Sequence, residues 1–158
     1  FMRLHGFREP FKEPIGTSGG GKCFSGADNE VWSYGDEVYE ICRKYLILRE
    51  KMRPYIRSVM EQAHESGAPV MRPLFFDFPT DPAAWGIEDE YMFGPDILVA
   101  PVLQEGARSR QLYLPEGEWR SLYDGRLYQG NTGIEVTASL DCIPVFIRKG
   151  KWDEIAFQ

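Results

Sequence analysis

From Asp96 onward, glycine and proline interrupt the sequence at intervals of roughly ten residues, which sets an upper limit on the length of any regular element. The stretches between them read "ILVAPVL", "SRQLYLPEG", "EWRSLYDGRLYQG", "GIEVTASL" and "IPVFIRKG". They are short, and apolar residues often alternate with polar ones, which puts every second side chain on one face of a strand. "LYDGRLY" places Asp124 and Gly125 at a hairpin turn. Regular short strands with turn signals predict a small antiparallel sandwich or barrel.

The text before Asp96 follows another period. In "DEVYEICRKYLILREKMRPYIRSVMEQAHES", residues 36–66, Val38, Ile41, Tyr45, Leu48, Met52, Tyr55, Val59 and Ala63 recur at three- and four-residue steps. That spacing predicts an amphipathic helix. Asp36 and Glu37 suit its positive N-terminal end. Pro54 should break or kink it near Met52 and Arg53, and Gly67 should close it. "PVMRPLFFDF", residues 69–78, reads as a short buried strand between prolines. "PTDPAAWGIEDEYMFGPD" reads as loop with one helical turn. The expected class is α+β, with a boundary near residue 95 between the helical part, 1–95, and the β part, 96–158.

Composition removes several function classes. The net charge of −6 argues against nucleic acid, because neutralising phosphates needs a basic face. The 18 Lys and Arg are scattered, so no polybasic membrane patch forms. No window of about 18 apolar residues exists, so no membrane span is expected. The three cysteines, Cys23, Cys42 and Cys142, describe neither a disulfide framework nor a zinc site. Reduced thiols and a cytoplasmic location are the expectation. An aromatic fraction of 14% suits a core, and also suits stacking on sugars. The first residues, "FMRLHGFREPF", do not form a signal peptide. They start abruptly, and the chain is expected to begin inside a larger fold.

"GTSGGGKC", Gly16 to Cys23, approaches the phosphate-binding loop G-x-x-x-x-G-K-[ST]. Such a loop must follow a buried strand and open a helix. "FREPFKEPI" upstream is too rich in proline and charge for a central strand, and Cys23 stands where a metal-binding hydroxyl is needed. The glycines of loop 16–26 instead let the backbone flex or pass close to a neighbour.

Only two histidines exist. His64 near a helix C-terminus reads as a favourable dipole contact. His5 lies in "RLHG", with Arg3 before it and Gly6 after it, as in a loop at a strand end, where barrel enzymes hold ligand contacts. From residues alone, His5 reads equally as a buried imidazole paired with a carbonyl.

"FMRLHG", "NEVWSYGDE", "KYLILREKMRPYI", "APVMRPLFFDFP", "YMFGPDILVAPV", "YLPEGEW" and "IPVFIRKG" follow one another in this chain. In that order they resemble glycoside hydrolase family 31, which includes α-glucosidases and α-xylosidases. The resemblance runs from residue 1 to about 150, and "KWDEIAFQ" departs from it. It implies the last helix/strand units of a (β/α)8 catalytic barrel, residues 1–95, followed by a proximal C-terminal β-sandwich, residues 96–158. A whole barrel takes about 250 residues, so most of one is outside this chain. The family's retaining mechanism uses two aspartates about 5–5.5 Å apart. Both lie on strands upstream of the "RLHG" equivalent, so no catalytic residue carries over. His5 matches the family histidine that hydrogen-bonds sugar hydroxyls, and a neutral imidazole can donate and accept there. Arg3 matches the motif arginine, which orients the site.

Further expectations attach to single residues. Trp32 and Tyr34 match a segment near the barrel mouth, and packing over the helix start competes there with stacking on a sugar. The stretch from Phe7 to Asp28 is a candidate lid or subunit contact. Asp77 ends the expected strand 69–78. Asp81, Glu88, Asp89 and Glu90 read as a solvated acidic loop, Asp96 as a turn residue, and Arg72 as the buried partner of a carboxylate. No cofactor and no metal are expected. The partners implied are an oligosaccharide or glycoside substrate and either the missing barrel portion or a second copy of the chain. A different class remains open, a non-catalytic carbohydrate-binding or assembly module that uses Trp119 and Trp152.

Overall fold

A computed structural model describes residues 31–155 except Ser33. The chain divides into two compact units between Glu50 and Lys51. Helix α1, Asp36–Lys51, carries Asp36 and Glu37 in its first turn, and Tyr39 N–H donates to Gly35 O at its start, 2.9 Å. Helix α2 is Arg53–Ser66. The interruption falls at Met52, as the proline predicts: Pro54 lies in the first turn of α2, where a missing N–H costs nothing. Gly67 ends α2 at φ 73°, and its N–H returns to Ala63 O at 3.0 Å.

Among the described residues eight strands follow: β1 Met71–Arg72, β2 Tyr91–Phe93, β3 Ile97–Val99, β4 Ser109–Leu114, β5 Glu118–Ser121, β6 Leu127–Gln129, β7 Thr132–Thr137 and β8 Val145–Arg148. Six form one antiparallel sheet in the order β1-β2-β3-β8-β5-β6, and β4 pairs with β7 as a separate ribbon. Every β segment expected after Asp96 is present, and Asp124 and Gly125 lie in the β5–β6 connection.

The register sorts side chains onto two faces. Leu98 is opposite Phe146, and Ile97 is opposite Ile147. Leu98, Phe146, Met92 and Trp119 join Leu112 and Leu114 of β4 in one cluster, so the ribbon covers that face. Ile97 and Ile147 meet Met52 and Tyr55 of the α2 end, together with Ile155 and Trp152 of the short helix α4, Trp152–Ile155. Burying each Leu, Ile or Phe contributes about 1.5–3 kcal/mol, and both faces are used.

Two expectations are corrected. Residues 69–78 are not one strand: β1 stops at Arg72, and Leu74–Asp77 form a helical turn, α3. Pro73 has no N–H for the ladder, and at φ −64° it opens the turn. Helical spacing then sends Leu74 into the core and leaves Phe76 45% exposed. "YMF", expected as loop, is β2. It pairs with β1 and β3, and the hairpin it forms with β3 crosses residue 95. Three residues between acidic text and Gly94 are too few to display an alternation. Gly94 turns the hairpin at φ +63°, and a Cβ there would strike the Tyr55 hydroxyl. That hydroxyl donates to Phe93 O at 3.0 Å.

Candidate functional site

His5, Arg3, Cys23 and loop 16–26 lie outside the described residues. Trp32 is 64% exposed and Tyr34 is half-buried. His64 is exposed in the last turn of α2. Cys42 and Cys142 are buried thiols. Among the described residues, no group of three or more His, Cys, Asp or Glu could hold a metal ion.

The polar chemistry gathers at three places in the second unit. The first is Arg72, 4% exposed. Its Nη1 meets Asp77 Oδ1 at 2.9 Å, its Nη2 donates to Gln62 Oε1 at 2.8 Å, and its Nε donates to Pro69 O at 2.7 Å. The guanidinium also lies over the Phe76 ring, 5.4 Å from its centre. This is the carboxylate-paired arginine expected from the sequence. The helical turn after Pro73 brings Asp77 back to it. A fork of fixed donors ties α2, β1 and α3 together.

The second place lies along β4, where the sequence had promised a solvated acidic loop. Glu88 fits that description, being exposed, and Asp89 fits it in part, with its side chain 44% exposed. Glu90 is 5% exposed, and its Oε1 accepts from Tyr113 N at 2.8 Å. Burial pushes its carboxyl up to about 7, against the Tyr113 amide and the Arg110 charge, which lower it. Asp89 pairs with Arg110 at 2.8 Å, and its carboxyl is held below its ordinary value by that hydrogen bond. Asp81 accepts from the Tyr113 hydroxyl at 2.8 Å and from Ala83 N at 2.9 Å. The loop is acidic because β4 presents Arg110, Tyr113 N and the Tyr113 hydroxyl to it. The sequence signal was an arginine two residues into an alternating strand, and nothing local paired it with residues about twenty positions earlier. A groove of about 480 Å³ lies here, lined by Ile87, Asp89, Glu90, Tyr113, Ile134 and Glu135 among others.

The third place is a groove of about 680 Å³ lined by Glu118, Arg120, Arg148, Lys149 and Trp152 among others. The Arg120 guanidinium lies 4.8 Å from the centre of the Trp152 ring, and Lys149 bridges to Glu118 at 3.0 Å. Trp119 is fully buried, and its Nε1 donates to Pro115 O at 2.8 Å. Its indole therefore offers no face to a ligand. Asp96 is in the expected turn, where its N–H approaches the Tyr55 hydroxyl at 3.4 Å. These arrangements fasten elements to one another.

Residues 67–151 match the glycosyl hydrolase family 31 C-terminal domain. Alpha-glucosidase 2 of Bacillus thermoamyloliquefaciens is 36% identical over 121 residues, which are 77% of this chain and 15% of that protein. The alpha-xylosidase of Saccharolobus solfataricus is 37% identical over 122 residues, 77% of this chain and 17% of that protein. Among solved structures, a GH31 alpha-xylosidase from a soil metagenome, complexed with xylose, superposes with a TM-score of 0.83 at 52% identity, over 96% of this chain and 23% of that one. The chain thus spans less than a quarter of the length of each of these relatives, and on the match across residues 67–151 it belongs to glycoside hydrolase family 31.

Proposed function

We propose that this chain is the C-terminal part of a retaining, exo-acting α-glycosidase that releases terminal α-linked xylose or glucose from oligosaccharides. Residues 1–95 supply the end of the catalytic barrel and residues 96–158 the proximal β-sandwich. The observation that carries this reading is the likeness, over nearly the whole chain, to an α-xylosidase complexed with xylose. His5 hydrogen-bonds hydroxyls of the sugar in the subsite before the cleaved bond, and Arg3 orients that end of the site. Nucleophile and acid/base come from the larger protein. The chain alone is inactive, because positioning cannot stand in for an absent nucleophile. The role of the described residues is to hold the barrel end on a stable sheet. The alternative of a non-catalytic binding module is weakened by Trp119, whose ring is sealed in the core.

Release of p-nitrophenol from the α-xyloside and the α-glucoside by the full-length protein tests the reading. The full-length protein turns over at least one of them, and the isolated chain turns over neither. His5→Ala in the full-length protein lowers kcat/KM about 10–100-fold, the loss of one or two sugar hydrogen bonds. Inactivity of the full-length protein on both substrates defeats the proposed activity. An unchanged kcat/KM in the variant defeats the role of His5 alone.

A further inference from the structure

Ribbon strand β4 pairs with β7 on one side only, and its side chains and free edge meet Asp89 and Glu90 in the segment 87–90. Three contacts fasten that segment to it. Arg110 Nη1 meets Asp89 Oδ2 at 2.8 Å, Arg110 Nη2 donates to Asp89 O at 3.0 Å, and Tyr113 N donates to Glu90 Oε1 at 2.8 Å. The first is matched in charge, and the second runs from the guanidinium to a backbone carbonyl. The third ends on a carboxyl whose other oxygen, Oε2, is buried and has no hydrogen-bond partner among the described residues. Arg110 Nε is likewise buried and unpartnered. Arg110 thus commits both terminal nitrogens to Asp89, and Glu90 has no cation of its own.

We propose that Glu90 is a protonation-dependent latch that holds residues 87–90 against the open edge of β4. With a proton on Oε2 the carboxyl is neutral, and Oε1 still accepts from Tyr113 N, so the latch is closed. Loss of that proton leaves negative charge on a buried oxygen with no donor, a state that proteins avoid. The groups facing Glu90 are Arg110 and the Tyr113 amide from β4 and Asp89 from its own segment, while Glu135 of β7 lines the same groove. Arg110 favours the charged form, Asp89 opposes it, and burial decides in favour of the neutral one. Water drawn in through the groove, or lifting of the segment, relieves the charged form. Further protein laid over the groove deepens the burial and keeps the direction. The latch is independent of the catalytic reading above.

Hydrogen exchange of the full-length protein tests it, read on peptides covering 87–93 and 109–114 and normalised to β5 and β8 peptides of the same molecule. Between about pH 6 and pH 8.5, after correction for intrinsic exchange, normalised protection of both peptides falls about tenfold or more in the native protein. In Glu90→Gln, which keeps the acceptor for Tyr113 N and carries no charge, the normalised protection does not change with pH. Constant normalised protection in the native protein overturns the latch. So does an equal fall in Glu90→Gln. Should that variant fail to fold, the native protein's own ratio decides.

Discussion

Arg72 and Glu90 are both buried ionisable residues, and they bear on stability in opposite ways. Arg72 has a partner for each of its three donor positions, in Asp77, Gln62 and Pro69 O. Arg72→Ala strands a largely buried Asp77 carboxylate and two acceptors, and costs about 3–5 kcal/mol. Arg72→Lys recovers only part of this, because one ammonium cannot span the fork. Urea midpoints of the two variants and the native chain measure the order. Glu90 is the reverse case, a carboxyl whose charge has no dedicated partner. Its folded value is raised from 4.5 to about 7, so the folded state keeps a proton that the unfolded state has already lost. Below about pH 4.5 the two states bind it equally; stability then falls as pH rises towards 7, by up to about 3 kcal/mol, and stays low above it. Asp89 acts the other way, but below its ordinary value of 3.8, outside this window. Denaturant midpoints taken across the range show a steeper fall in the native chain than in Glu90→Gln, which keeps only the contribution of Asp96, whose carboxyl burial also raises.

At the scale of elements, close approach sets which substitutions are tolerated. Gly94 has φ +63°, and a Cβ there meets both the Tyr55 hydroxyl and Val59, so Gly94→Ala separates α2 from the β2–β3 hairpin and costs about 3 kcal/mol. Tyr55→Phe removes the bond to Phe93 O and the longer approach of the Asp96 N–H, and costs about 1 kcal/mol. Thermal unfolding of both variants should rank them in that order, and equal midpoints would show that the contact is unimportant. Gly130 is tighter still, since an added Cβ runs into Pro115 O and the Gly117 backbone. The sequence disclosed the helix break at Pro54, the Gly67 cap, the strands after Asp96 and the carboxylate partner of Arg72. All four depend on local stereochemistry or on an apolar period a few residues long. It did not disclose β2, whose three residues show no period, or α3, where Pro73 turns an apolar run into a helical one. It mistook Glu90 for a solvated group because Tyr113, whose amide holds it, is more than twenty residues away and is brought close only by the fold. For His5, outside the described residues, the local text "RLHG" weighed a sugar contact evenly against a buried imidazole, and only the motif order favoured the sugar.

For the whole molecule, the question is what the second unit leaves uncovered. Its sheet is covered on one face by the β4–β7 ribbon and on the other by α2 and α4. On the surface of this unit Met60 is 56% exposed, Met71 46%, Phe76 45% and Trp85 60%. Burial of such side chains contributes about 1.5–3 kcal/mol each, so several together offset the lower part of the roughly 4–15 kcal/mol cost of association. In the proposed full-length protein the remaining barrel supplies the cover. The isolated 158-residue chain should therefore associate with itself, and static light scattering should give a mass that rises with concentration. Met60→Gln combined with Met71→Gln removes two exposed apolar side chains without touching a hydrogen bond described above, and should move the mass towards that of a monomer. The full-length protein should show no comparable dependence on these two positions. A native chain that stays monomeric at every concentration tested would show that this surface needs no cover, and that the second unit is self-sufficient as it stands.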